Sequence, residues 1–113
     1  MFFKENKKSF DYLAEIGQSF SFLLESNFAI KKFDDYFEYT KGDLAIQVHF
    51  SKNHRDNCYI YVVINSKNIF ESDILNEIEK AKYLQEYKLL YSQNIEQSIF
   101  FYSSLIKTKM DLF

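Results

Sequence analysis

Apolar and polar positions alternate most cleanly between Asp43 and Asn65. In DLAIQVHF, Leu44, Ile46, Val48 and Phe50 fall on one parity and Ala45, Gln47 and His49 on the other, the period of a strand with one buried face. YIYVVIN is β-branched and aromatic on both parities, as in a strand central in a sheet. The polar segment SKNHRDNC between them is long enough to reverse the chain. The pair reads as a β-hairpin with helices laid against one face.

Upstream, Phe10, Leu13, Ile16, Gly17, Phe20, Leu23 and Leu24 follow three-four spacing. Ser9 is placed to cap this helix and Asn27 to stop it, giving one helix from about Phe10 to Ser26. Gly17 lies on its apolar stripe; a mid-helix glycine costs about 1 kcal/mol, which close approach of another element would offset. FAIKKFDDYFEYT follows, and admits two readings: two short strands joined at a turn, or one strand bulged at Asp34. Lys41-Gly42-Asp43 is a turn, with Gly42 supplying a positive φ.

Downstream, residues 66–71 leave the sheet and Ser72 is a suitable N-cap. Ile74, Leu75, Ile78, Ala81, Leu84 and Tyr87 give a second helical stripe, with Glu77, Glu79, Lys80, Lys82 and Glu86 outward. Ser92-Gln93-Asn94 breaks the pattern. Ile95, Ile99, Tyr102 and Ile106 then make a third stripe reaching about Lys109. The expected architecture is a single α+β domain over residues 1–113: an N-terminal helix, an antiparallel meander of three or four strands, and two C-terminal helices.

Composition narrows the function classes. Thirteen Phe and 9 Tyr, an aromatic share of 19%, supply a core and argue against a disordered chain. The net charge is −2, from 14 basic and 16 acidic residues, and Arg55 is the only arginine. A binder that relies on phosphate contacts carries a basic excess, so nucleic acid is not the expected partner. Cys58 is the single cysteine, and no disulfide within the chain is expected. MFFKENKKSF lacks an apolar stretch of signal-peptide length, and the longest apolar run, Tyr59 to Ile64, is far too short to span a bilayer. A cytoplasmic protein without a membrane segment is the expectation.

Each candidate for chemistry has a plainer reading. His54-Arg55-Asp56 matches three letters of the kinase catalytic loop, yet the chain holds neither a glycine-rich loop nor DFG; a polar hairpin loop explains it. His49, His54 and Cys58 have irregular spacing for a zinc site and lack a fourth ligand, and Cys58 fits a small apolar filler. No catalytic residue, metal or cofactor is expected. Asp34, Asp35 and Glu38 stand beside Tyr36, Phe37 and Tyr39, a composition suited either to an exposed edge or to a protein interface facing a basic partner. Tyr59 and Tyr61 share one parity of their strand. If helices cover the aliphatic parity of Ile60, Val62 and Ile64, the tyrosines line the open face, as binding aromatics or as a second cover. Phe22 and one of Phe100 and Phe101 exceed what their stripes need, which fits a dimer face, a helical groove or a wide core face.

This layout resembles small bacterial immunity proteins of contact-dependent inhibition and related toxin systems. An N-terminal helix ends in FSFLLESNF (Phe20 to Phe28), and a strand meander with acidic and aromatic surfaces follows. The resemblance implies a cytoplasmic inhibitor, not an enzyme, that binds a cognate toxin domain, often a nuclease, and blocks its active site. Such families share no catalytic motif, so no residue role is carried over. The contact residues expected from the sequence itself are Asp34, Asp35, Tyr36, Glu38, Tyr59 and Tyr61, on a monomer or homodimer. Alternatives are a small enzyme or ligand-binding domain with a cleft between sheet and helices, and a homodimeric accessory protein of a phage or mobile element.

Overall fold

The computed structural model describes residues 13–52, 58–90 and 95–110. Its elements, in chain order, are α1 (residues 13–19) and α2 (Phe22–Glu25), then β1 (Ala29–Lys32), β2 (Tyr36–Lys41), β3 (Leu44–Lys52), β4 (Cys58–Ile64) and β5 (Lys67–Asn68). A 3₁₀ turn (Ile69–Glu71), α3 (Glu77–Leu90) and α4 (Ile95–Thr108) follow. This is the expected α+β order, except that the meander has five strands, β1-β2-β3-β4-β5, all antiparallel.

The fifth strand comes from a turn that pattern reading passes over. Asn65 and Ser66 both have positive φ, 48° and 73°, as a two-residue type I′ hairpin requires. The Asn65 side chain accepts from the Ala45 amide at 2.7 Å, and its own amide donates to the Ala45 carbonyl. The chain therefore folds straight back, and Lys67 and Asn68 pair with Ile64 and Val63.

Between β1 and β2 the two-strand reading is the observed one. The Phe33 amide donates to the Tyr36 carbonyl at 2.9 Å, closing a hairpin whose tip is Asp34-Asp35, and the register Ala29↔Thr40 to Lys32↔Phe37 runs without a bulge. Gly42, at φ 60°, opens the β2–β3 turn as expected.

Register decides which face is buried. Ile30, Tyr39, Ile46 and Ile64 lie opposite one another across four strands, as do Phe37, Val48 and Val62 across three. Together with Ile60 they form the covered face, and all but the half-buried Ile30 are buried. The helices supply the other layer. Ile16, Phe20 and Leu23 come from α1 and α2; Ile99, Tyr102, Leu105 and Ile106 come from α4, which packs on β4. Gly17 lies where a Cβ would stand 3.3 Å from the Phe37 ring, the close approach its place on the stripe predicts.

The first helix is not continuous, and its expected start at Phe10 lies outside the described residues. At Phe20 and Ser21 the backbone tightens: Ser21 N donates to Gln18 O and Leu23 N to Phe20 O, three residues back. The Ser21 hydroxyl also donates to Gln18 O at 2.8 Å. One 3₁₀ step brings Phe20 and Leu23 onto the same side, and both are fully buried. The stop at Asn27 is as expected. With φ 73°, Asn27 ends α2; its amide donates to Leu24 O and that of Phe28 to Leu23 O, a Schellman closure sealed by the buried Leu23 and Phe28.

The second long helix differs from expectation in start and rotation. Ser72 is buried, and its hydroxyl donates to Ile69 O at the end of the 3₁₀ turn. The cap is Asn76: its Oδ1 accepts from Glu79 N at 2.8 Å, and Glu79 Oε1 accepts from Asn76 N at 3.0 Å. These reciprocal bonds make a capping box and start α3 four residues later than expected. Its polar and apolar residues are spread almost evenly around the axis, so docking decides its rotation. Ile78 is 81% exposed, while Tyr83 and Tyr87 are half-buried against the core. They join Phe70, Phe101 and Tyr102 in an aromatic cluster; Tyr87 and Tyr102 stand 5.4 Å apart and Tyr83 and Phe101 6.3 Å. Glu79 bonds Lys109 at the end of α4, and burial pushes the Tyr102 phenol far above its ordinary pKa.

Candidate functional site

The helices cover one face of the sheet, and the other parity of each strand lies on the opposite, open face. There Tyr36, His49 and Tyr61 face one another across β2, β3 and β4. Direct cross-strand neighbours stand about 4.5–5.5 Å apart, which is the spacing at which flat rings stack. Tyr36 and His49 have centroids 4.4 Å apart at 15°, and His49 and Tyr61 are 4.7 Å apart at 3°. Phe33 extends the row from the β1–β2 hairpin, 4.4 Å from Tyr36 at 12°. Four rings thus run across three strands and a turn, with Phe33 42% exposed.

A polar row runs beside the rings. Lys31, Glu38, Gln47 and Val63 are opposite one another in register. Gln47 Nε2 donates to Glu38 Oε2 at 2.9 Å, which leaves Gln47 Oε1 as the acceptor for His49 Nε2–H, also at 2.9 Å. This order assigns the neutral Nε2–H tautomer to His49. Partial burial lowers the His49 pKa below its ordinary value, and the nearby Asp35 carboxylate pulls the other way without offsetting it. A neutral imidazole stacks between two phenols without a charge to solvate, so the row stays intact near neutral pH.

The expected contact residues divide into three groups. Tyr36, Glu38 and Tyr61 share the open face, all half-buried. Asp34 and Asp35 are exposed at the hairpin tip next to Phe33 and Tyr36, and Asp35 lies close enough to act on His49. Tyr59 pairs with Ser51 through its backbone, and its side chain lies outside the described residues. The polar loop with His54, Arg55 and Asp56, and the Cys58 side chain, lie outside them too.

Two members were missed from sequence. His49 was visible as a polar-parity position of β3 but reads there as a lone imidazole; only the register sets it between Tyr36 and Tyr61. Phe33 sits before a turn, with no periodic signal. Of the other aromatic neighbours of the acidic cluster, Phe37 and Tyr39 point into the core, as their parity requires.

At its Tyr61 end the row meets a cavity of about 650 Å³. It opens where β4 runs beyond the two-residue β5, and Phe70, Tyr87, Tyr102 and Leu84 line it with Asn68 and Glu71. The Tyr87 hydroxyl donates to the Ile60 carbonyl at 3.4 Å along this edge. The face therefore offers a flat aromatic strip, a carboxylate-bearing tip at one end and an apolar recess at the other. Among the described residues, no group of three or more His, Cys, Asp and Glu is placed to hold a metal ion, and no helix is long and apolar enough to cross a membrane.

Set against protein family models, curated proteins and solved structures, the chain matches none.

Proposed function

We propose that this chain is a non-enzymatic protein-binding module that docks through its open sheet face, and that it acts as an immunity protein, covering the active cleft of a cognate bacterial toxin domain in the cytoplasm. The observation that carries the reading is the four-ring row Phe33–Tyr36–His49–Tyr61 on the uncovered face of the sheet. Rigid stacked aromatics give a large contact area at small conformational cost, and interface hot spots concentrate in such groups. Asp34, Asp35 and Glu38 beside the row favour a partner whose cleft is basic, as that of a nuclease is, and steer its approach. A second reading, a small-ligand domain, is favoured by the aromatic-lined recess at the β4 edge.

Co-expression with a candidate toxin domain from the neighbouring reading frame, followed by co-purification and calorimetry, is the test. A tight complex is expected. Tyr36→Ala and Tyr61→Ala should each cost about 2 kcal/mol of affinity, roughly thirtyfold. Reversing Asp34, Asp35 and Glu38 together to Lys should slow association and invert its salt dependence. A chain that binds no such domain, and melts higher with a small aromatic ligand instead, belongs to the second reading.

A further inference from the structure

The helical layer carries a second surface, separated from the open face by the sheet. α3 and α4 run side by side, and between them lies a groove of about 680 Å³. Tyr83, Phe101 and Leu105 contribute to its apolar lining, and Phe100 stands in it 72% exposed. Phe100 adjoins Phe101 and precedes Leu105 by five residues, yet takes no part in the core they enter. Glu86, near the end of α3, and Glu96, in the first turn of α4, line the same groove, and none of the described lysines does. Lys82 covers the Tyr83 ring at 5.3 Å from its centroid without entering the lining.

Two properties of the groove identify the occupant. The first is backbone chemistry. The walls are two helices whose mid-section amides and carbonyls are paired internally, so they offer nothing to an extended peptide. A segment lying here must satisfy its own backbone, which a helix does. The lining runs from Glu96 to Thr108, about 18 Å of helix at 1.5 Å per residue, the length of three to four turns. The second is charge. Two carboxylates line the apolar groove and none of the described lysines does, which calls for a cationic partner.

We propose that the α3–α4 groove is a docking site for a basic amphipathic helix of a partner protein, which seats apolar side chains against Tyr83, Phe100 and Leu105 and meets Glu86 and Glu96 with lysine or arginine. It is a site distinct from the open sheet face, so the chain engages two elements of a partner, or two partners.

The probe is a fluorescein-labelled peptide of about 14 residues of Leu, Ala and Lys, with Leu at i, i+3, i+4 and i+7 spacing. Its counterparts carry Glu for Lys, or a central Pro that breaks the helix. Fluorescence anisotropy on the full chain gives affinity, and ¹⁵N amide shifts give the location. The lysine peptide is expected to saturate, with shifts centred on Tyr83, Glu86, Glu96 and Phe100, and the other two peptides to bind at least about tenfold more weakly. Phe100→Ser should weaken the lysine peptide about tenfold. Glu86→Gln with Glu96→Gln should weaken it severalfold at low salt and less at high salt. Phe100 is largely exposed, so Phe100→Ser leaves the core alone, and circular dichroism checks both variants. The proposal is overturned by any of four results: equal binding of the Lys and Glu peptides, no saturable binding, shifts centred on Tyr36 and Tyr61, or unchanged affinity in the variants. A dimer that Phe100→Ser converts to monomer overturns it as well, assigning the groove to a second copy.

Discussion

Replacing Tyr39 with phenylalanine removes one oxygen from the middle of the covered sheet face. Tyr39 is 0% exposed, opposite Ile30 and Ile46 in register, with its ring 6.3 Å from that of Phe20. Among the described residues its hydroxyl has no hydrogen-bond partner. A buried hydroxyl left unpaired costs about 1–3 kcal/mol. Phenylalanine keeps the ring and vacates less than a methyl group's volume, a cost below about 1 kcal/mol. The net expectation is a gain of about 1 kcal/mol. For a chain of this length that is about 4 °C in Tm, and a higher urea midpoint at unchanged m-value.

The alkaline limb supplies a second reading of the same substitution. Desolvation pushes the Tyr39 phenol up to about 12, against about 10 in the unfolded chain. The folded state favours the neutral phenol, so this contribution is complete below pH 10 and is lost as pH rises toward 12, by up to about 3 kcal/mol. Tyr39→Phe lacks that loss, while the raised Tyr102 is common to both proteins and cancels in the comparison. The advantage of Tyr39→Phe should therefore widen between pH 10 and pH 12. A variant less stable than wild type by 1 kcal/mol at pH 7, with parallel alkaline limbs, would refute the reasoning and place a partner on the hydroxyl.

Two further outcomes follow from backbone and stack. Ser66 holds φ 73° in the β4–β5 turn, a conformation costing a side chain about 1–2 kcal/mol that glycine does not incur; after the extra unfolded-state entropy of glycine, about 0.4–1 kcal/mol, Ser66→Gly should stabilise by about 0.5–1 kcal/mol in urea unfolding, and unchanged or lower stability counts against the type I′ assignment. His49 has a lowered pKa, so its contribution is complete above the unfolded value near 6.5 and is lost as pH falls below it. Between pH 7 and 5.5 the urea midpoint of wild type should drop relative to that of His49→Phe, and parallel curves would argue that the imidazole is free to protonate within the stack.

What the chain determines alone is what depends on neighbours in sequence. The period-two alternation of Leu44, Ile46, Val48 and Phe50 fixes their face, since adjacent residues of a strand point opposite ways. The spacing of Ile95, Ile99, Tyr102 and Ile106 fixes the buried side of α4, and all four are buried as the stripe requires. Gly17 on an apolar stripe marks a close approach, and Asn27 marks a stop. Tyr36 and Glu38 are legible as one face of β2 because parity carries them there, while Tyr61 joins that face through the register.

The rest was decided by contacts between elements distant in sequence. The place of His49 between Tyr36 and Tyr61 is a fact of register across three strands, invisible to any window on one. The rotation of α3 is another. The expected stripe from Ile74 to Tyr87 would bury Ile78, but over Glu77–Leu90 polar and apolar residues are spread almost evenly around the axis, and docking of Tyr83 and Tyr87 onto Phe70, Phe101 and Tyr102 turns Ile78 to solvent. Of Phe100 and Phe101, one of which is surplus to the α4 stripe, Phe101 joins this cluster and Phe100 stands exposed in the groove. Periodicity places a side chain on a face of its own element. Which face meets another element depends on the free energy of packing the two together, and only the folded chain sets that.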